Sequence, residues 1–189
     1  MNGTPEKSPP IIALAGIMLR TLQDAVVEGN VVAGNNRGFF IYDVEFTKIQ
    51  GNLVVDNLVG VHLSAGSTRN EVLRNDFVGN REQVRYVGAK DEAWGGKQPG
   101  AGNFWSNYMG WDRDADGIGD LPYEANDLVD RLQYRHPIVK LLMGSPAVQA
   151  LRLLGQQFPV LRVPSVIDNY PAMAPKHKNW SEWRDKYFR

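Results

Sequence analysis

The sequence of 189 residues predicts a right-handed parallel β-helix of about three to four coils. Two observations predict it. The first is a repeat of 22 to 23 residues, marked by two series of asparagines: Asn30, Asn52 and Asn75, and Asn35, Asn57 and Asn80. The second is that apolar residues come in short alternating pairs separated by Gly and Asn, which favours strands over a helix. A leucine-rich repeat has a similar period but needs leucines at fixed positions, which this chain lacks.

Superposing the repeats sorts the side chains into columns, because residues alternate sides along a strand. One column, formed by Phe40, His62 and Arg85, is mixed and is predicted to point outward. The asparagines are expected at bends, where Asn tolerates left-handed backbone geometry and its amide can bond an Asn of the next coil. Four columns are apolar and are predicted to point inward: Phe39, Val61, Val84; Ile41, Leu63, Tyr86; Val32, Val54, Phe77; and Val27, Ile49, Val72.

The composition excludes several classes of function. The 21 basic and 21 acidic residues cancel, which argues against nucleic acid as a partner. The absence of cysteine excludes disulfides, thiolate metal sites and cysteine nucleophiles. The apolar stretch from Ile11 to Leu19 is shorter than the roughly 20 residues that a membrane span needs, so the chain is not expected to be membrane-spanning. No signal peptide is visible in the stretch from Met1 to Pro10, since it contains Glu6 and ends in two prolines.

An acidic loop follows the coils and has the spacing D-x-D-x-D-G-x-G-D. Alternate carboxylates before a glycine turn are what a hard, oxygen-seeking cation needs, and calcium is the natural ion. An EF-hand would place Glu at loop position twelve, where this chain has Tyr123, so an isolated structural calcium loop is predicted. A solvated turn without an ion is the alternative. The predicted ligands are the side chains of Asp112, Asp114, Asp116 and Asp120 and the carbonyl group of Ile118.

The rest of the chain forms a tail of mixed character. An amphipathic helix is predicted from Ser145, with Val148, Leu151, Leu154 and Phe158 on one face. A proline-rich extended stretch follows, and the tail ends in an aromatic group: Trp180, Trp183, Tyr187 and Phe188. These aromatics are predicted to bind a partner, with packing against the β-helix as an equally weighted alternative. The predicted regions are 1–20 (poorly defined), 21–100 (coils), 101–136 (aromatic and acidic loop region) and 137–189 (helix and extended tail).

Together these blocks resemble the C-terminal portion of the NosD family. The resemblance covers about residues 22–175 and is carried by the stretch from Gly102 to Tyr108 (GNFWSNY), the acidic loop ending in Leu121-Pro122-Tyr123, and Ser145-Pro146-Ala147. It implies a periplasmic protein of denitrification that is no enzyme. Such a protein works with the ABC transporter NosFY to assemble the copper clusters of nitrous oxide reductase, which it contacts transiently.

Copper is therefore implied by the resemblance and not by the residues themselves. Copper(I) favours Cys, Met and His, and these residues show no close motif spacing: Met109, Met143, Met173, His62, His136 and His177.

Two alternatives come from carbohydrate chemistry. A polysaccharide lyase or glycosidase would need paired carboxylates, or an Arg or Lys base beside calcium, on an outward face. The outward column supplies no such pair, and the acids nearby are scattered: Asp43, Glu45, Asp56 and Asp76. No catalytic residue is therefore assigned. A carbohydrate-binding module that uses Trp94, Trp105 and Trp111 remains open.

Overall fold

The structure is a computed structural model that describes residues 14–64, 66–86, 93–125, 145–147, 150 and 166–182. Within these residues it contains fourteen strands in three sheets. Neighbouring strands of one sheet are 22 or 23 residues apart over most of the chain, so the chain passes through all three sheets once per repeat. The predicted parallel β-helix is confirmed.

The three sheets run along the length of the β-helix, and the strands of each sheet lie side by side in a fixed order. In sheet 1 that order is β1 (Ile17–Gln23), β4 (Arg37–Glu45), β7 (Val59–Leu63) and β10 (Glu82–Tyr86). In sheet 2 it is β13 (Tyr123–Ala125), β14 (Val166–Asp168), β11 (Ala93–Trp94), β8 (Glu71–Leu73), β5 (Lys48–Gln50) and β2 (Val26–Glu28). In sheet 3 it is β12 (Phe104–Trp105), β9 (Asp76–Val78), β6 (Leu53–Val55) and β3 (Val31–Ala33).

The strand register confirms the predicted columns. Phe39 pairs with Val61, which pairs with Val84, and all three are buried. The column of Val32, Val54 and Phe77 is likewise in register and buried. The two other inward columns are in register as well: Ile41, Leu63, Tyr86 and Val27, Ile49, Val72. The mixed column of Phe40, His62 and Arg85 is in register and half-buried, as expected for an outer face.

The two asparagine series form hydrogen-bonded ladders at the bends. In the first, Asn52 donates from both its backbone N–H (3.0 Å) and its Nδ2 (2.9 Å) to Oδ1 of Asn75. Asn75 bonds Asn103 in the same way. The second ladder runs through Asn35, Asn57 and Asn80 to Gln83, which donates in turn to Ser106 Oγ at 3.1 Å. Asn52, Asn75 and Asn103 are fully buried, so these bonds satisfy polar groups that water cannot reach.

The first ladder ends on a carboxylate supplied by the tail. Each asparagine of this ladder donates from its N–H and its Nδ2 to the side-chain oxygen at the next position toward the C-terminal end, so the last asparagine, Asn103, needs an acceptor there. Asp168 meets this need: its Oδ2 accepts from Asn103 N (2.8 Å), Asn103 Nδ2 (3.0 Å) and Trp105 Nε1 (3.0 Å). β14 carries Asp168 into place by pairing in parallel with β11 and antiparallel with β13.

The strands extend beyond the region predicted for the coils. β1 begins at Ile17, before residue 21, because its side chains continue the buried columns of β4. β12 lies inside the predicted loop region, and β14 lies inside the predicted tail. At its C-terminal end the β-helix is therefore completed by strands that are too short to show a periodic pattern of their own.

The predicted tail helix is described only in part. Pro146, Ala147 and Ala150 are helical and exposed, whereas its apolar face of Val148, Leu151, Leu154 and Phe158 lies outside the described residues. In the described ranges, no helix combines the length and the apolar composition needed to cross a membrane.

Candidate functional site

The acidic loop closes on itself through hydrogen bonds from its backbone to its aspartates. Asp112 accepts from the N–H groups of Asp116 (3.1 Å) and Gly117 (2.8 Å), and Asp116 accepts from Ile118 N–H (2.8 Å). Gly117 has φ +85°, a left-handed conformation that glycine adopts without strain. The D-x-D-x-D-G spacing thus folds into a compact turn with its carboxylates on one side.

Three of the predicted ligands come together in this turn. The carboxylate oxygens of Asp112, Asp114 and Asp116 lie within 4.8 Å of one another. Asp120 lies outside this group, because its carboxylate accepts from Arg113 N–H at 2.8 Å. Ile118 forms an isolated antiparallel bridge with Ala172 of the tail. The group of three offers only oxygen ligands, which suit a hard cation.

Tyr108 anchors the loop to the end of the β-helix. Its hydroxyl group donates to the Leu121 carbonyl at 2.6 Å. Its ring lies against Gly110 and Gly119, where an added Cβ would come within 2.0 and 2.1 Å of the hydroxyl oxygen. Burial raises the pKa of Tyr108, and the negative charges of Asp120 and Asp168 add to the shift. The two glycines therefore allow an approach that any larger residue would block.

The tryptophans of this region are mostly core residues. Trp105 is 1% exposed and stacks between Phe77 (4.4 Å between centroids) and Tyr123 (4.3 Å). Trp94 is 4% exposed, whereas Trp111 is 55% exposed. The interpretation of Trp94, Trp105 and Trp111 as a shared sugar-binding surface is wrong, because buried rings offer no face to a sugar.

The described residues do not fit a copper site built on paired histidines. His62 lies on the outer face of sheet 1, and His177 lies beside Asp76 of sheet 3. His136 and Met143 lie outside the described residues. The chain has no cysteine, and the acidic loop offers oxygen in place of the nitrogen and sulfur that copper(I) favours.

Residues 177–182 of the tail lie against the outer face of sheet 3. Trp180 is half-buried and packs against the apolar cluster of Leu53, Val55 and Val78. A cavity of about 500 Å³ lies beside it and is lined by Val31, Leu53, His177, Lys178, Asn179, Trp180 and Glu182. The other predicted partner-binding residues, Trp183, Tyr187 and Phe188, lie outside the described residues.

Two contacts that hold the tail were not predicted from the sequence. One is the Asp168 cap of the ladder. The other joins His177 to Asp76, whose Oδ2 lies 2.6 Å from His177 Nδ1 and accepts from His177 N–H at 2.7 Å. The second contact does leave a signal in the repeat. Asp76 stands in register between the apolar residues Leu53 and Phe104, and an acid in such a column needs a partner that donates to it.

Two curated proteins are similar to most of this chain. A "Probable ABC transporter binding protein NosD" of Pseudomonas aeruginosa is 44% identical over 158 residues, which are 84% of this chain and 36% of that protein. A protein of the same name from Stutzerimonas stutzeri is 39% identical over 173 residues, with 84% of this chain and 39% of the relative covered. The chain thus spans less than two fifths of the length of these relatives.

A family match covers the coils and the start of the aromatic block. Residues 10–110 match the model of the NosD family, which is described as a periplasmic copper-binding protein. The matched segment contains strands of all three sheets, both ladders and Trp105. Because the match covers more than half of the chain, the protein belongs to the NosD family.

Proposed function

We propose that this chain is part of a periplasmic accessory protein that works with the ABC transporter NosFY in assembling the copper clusters of nitrous oxide reductase. The observation that carries the proposal is the 44% identity to a protein named for ABC transporter binding. The periplasmic location and the link to copper are supported by the description of the family. In this role the copper is cargo of the assembly pathway, and the reductase is a transient partner.

A role in binding, without catalysis, is supported by the names of the same relatives, which are transporter binding proteins. The β-helix supplies long, regular faces whose side chains stand at fixed spacing, and such faces suit protein contacts. Carbohydrate-active enzymes use the same fold, but they need paired carboxylates, or an Arg or Lys base beside calcium, on such a face. The outward column presents Phe40, His62 and Arg85 instead.

Within this role, the tail is proposed to be the segment that docks on the transporter. Trp180 already packs against sheet 3, and three further aromatics, Trp183, Tyr187 and Phe188, follow it within eight residues of sequence. Large aromatic residues are enriched at the energetic centres of protein interfaces. Trp180 would then fix the direction of the tail, and the three later aromatics would contact the transporter.

The test is retention of the full chain on detergent-solubilised NosFY. The wild-type chain is expected to be retained, and Trp180→Ala combined with Trp183→Ala is expected to lower retention at least tenfold. Leu53→Ala is the matched control, because it loosens the same packing under Trp180 but leaves the tail aromatics in place. No retention of the wild-type chain would refute the transporter proposal. Equal retention of the wild-type chain and the double variant would refute docking by the tail alone.

The acidic loop is proposed to bind a structural calcium ion. Asp112, Asp114 and Asp116 supply three carboxylates within 4.8 Å, and Asp120 would join directly or through water. Such crowding is unfavourable without a counter-ion, since like charges at this distance repel. The tail is hydrogen-bonded to this loop, because Met173 N–H donates to the Gly117 carbonyl at 3.0 Å. An ion in the loop would therefore stabilise the end of the β-helix.

Calcium removal is expected to lower the melting temperature. A ligand at a hundred times its dissociation constant stabilises a protein by about 2.7 kcal/mol. For a chain of this size that corresponds to a shift of about 5 to 10 °C. Melting curves with EDTA and with added calcium would measure it. Asp114→Asn should abolish the shift, and Asp24→Asn, an exposed aspartate near the first coil, should leave it unchanged. Identical curves and no heat of calcium binding would contradict the proposal.

A further inference from the structure

The outer face of sheet 1 concentrates arginine and aromatic side chains. We call the following residues the arginine face: Met18, Arg20, Arg37, Phe40, Tyr42, His62, Glu82 and Arg85. Glu82 is the acid of this set, and it accepts from Arg85 Nε at 3.0 Å. Two further acids, Asp43 and Glu45, lie at the C-terminal end of β4, where Asp43 takes φ +55° and the strand bends. The Glu45 carboxylate accepts a hydrogen bond from Gln23 Nε2. The face is locally basic although the whole chain is neutral.

Two of these arginines are held in place by aromatic rings. The guanidinium carbon of Arg37 lies 4.9 Å from the centre of the Phe40 ring, and that of Arg20 lies 5.7 Å from the centre of the Tyr42 ring. Stacking orients a guanidinium group but leaves its N–H edge able to donate. Among the residues that the structure describes, no carboxylate forms an ion pair with Arg20 or Arg37.

The same face contains buried polar atoms without a partner. Arg37 Nε and His62 Nδ1 are both inaccessible to water and make no hydrogen bond with any described residue. Buried polar groups are nearly always bonded in folded proteins, and leaving one unbonded costs about 1 to 3 kcal/mol. Burial lowers the pKa of His62, and the positive charges of Arg37 and Arg85 lower it further. Arg37 and Arg85 thus place positive charge beside His62.

We infer that the arginine face is a docking surface for an acidic segment of a partner protein, whose carboxylates are bound by Arg20 and Arg37. Arginine and carboxylate form paired, charge-assisted hydrogen bonds, the strongest available to a surface side chain. Residues 37 and 42 are roughly 16 Å apart along β4, so an extended segment of about six residues reaches both stacked arginines. The inference goes beyond the proposed function, because this face lies on sheet 1, whereas Trp180 of the tail packs against sheet 3.

The test uses fluorescently labelled octaglutamate and the full chain, with binding followed by fluorescence anisotropy. Arg20→Gln combined with Arg37→Gln is expected to weaken binding at least tenfold. Arg69→Gln is the matched control, since Arg69 also stacks on an aromatic ring, Phe46 at 5.3 Å, but lies outside the arginine face, at the corner between β7 and β8. Its affinity should stay within twofold of the wild-type value. Octaglutamine should bind at least tenfold more weakly than octaglutamate.

Several results would overturn the inference. If the wild-type chain and the double variant bind octaglutamate with equal affinity, Arg20 and Arg37 do not take part in the interaction. An equal loss in Arg69→Gln would show that total charge decides the binding and not this face. Binding to phosphatidylglycerol vesicles without binding to octaglutamate would replace the acidic protein by a membrane surface. Melting curves of each variant show that the comparison is made between folded chains.

Discussion

Asn75→Ala is expected to lower the free energy of unfolding by about 3 to 5 kcal/mol. Oδ1 of Asn75 accepts two bonds from Asn52, at 3.0 and 2.9 Å, and its Nδ2 donates to the Ile49 carbonyl and to Asn103. Alanine removes all four bonds in a place where water cannot replace them. The polar groups of Asn52, Ile49 and Asn103 that lose these bonds stay buried without a partner, which is unfavourable.

The matched control is the same substitution at the open end of the ladder. Asn30 is only partly buried, and its Nδ2 donates to Asn52 and to the Glu28 carbonyl. Water can reach these groups, so Asn30→Ala is expected to cost about 1 kcal/mol. Urea unfolding followed by circular dichroism measures both values. If Asn75→Ala lowers the free energy of unfolding no more than Asn30→Ala does, the buried ladder does not stabilise the β-helix as proposed.

Trp105→Ala is expected to cost about 4 to 5 kcal/mol. The substitution empties the space between Phe77 and Tyr123 and removes one of the three bonds to Asp168 Oδ2. Because β13 carries Tyr123 and β14 carries Asp168, the change also weakens the attachment of the tail. Chemical unfolding measures the loss.

Two further variants separate packing from hydrogen bonding at this position. Trp105→Phe keeps a ring in the stack and loses the Nε1 bond, so it should cost about 1 to 2 kcal/mol. Trp111→Ala removes an exposed indole and should change stability by less than about 0.5 kcal/mol. A Trp105→Ala chain as stable as the Trp111→Ala chain would show that the stack does not hold the end of the β-helix.

The coils were predictable because their pattern is local and repeated. Each of Phe39, Val61 and Val84 follows its asparagines at nearly the same offset, so three weak signals add up to one register. A single strand of three residues would not have been identified in this way. β11 and β14 show this, because each is two or three residues long and each pairs with strands far away in the sequence.

The candidate site was predictable in part. The D-x-D-x-D-G spacing identified Asp112, Asp114 and Asp116, since a local turn with Gly117 at positive φ gathers carboxylates that are two residues apart. The position of Asp120 depends on where Arg113 N–H points, and this is set by the loop as a whole. The bound ion and the partner of the tail stay predictions.

By itself the sequence determined the β-helix, its inward columns, its asparagine ladders and the family, because each depends on residues that recur at fixed spacing. Only the tertiary structure decided how the end is closed: Asp168 accepts from Asn103 across 65 positions, and His177 meets Asp76 across 101. Each of these two contacts occurs only once and joins distant parts of the chain, so no repeat in the sequence indicates it. The physical reason is that a ladder of donors must end on an acceptor, and the chain can supply that acceptor from any segment that returns.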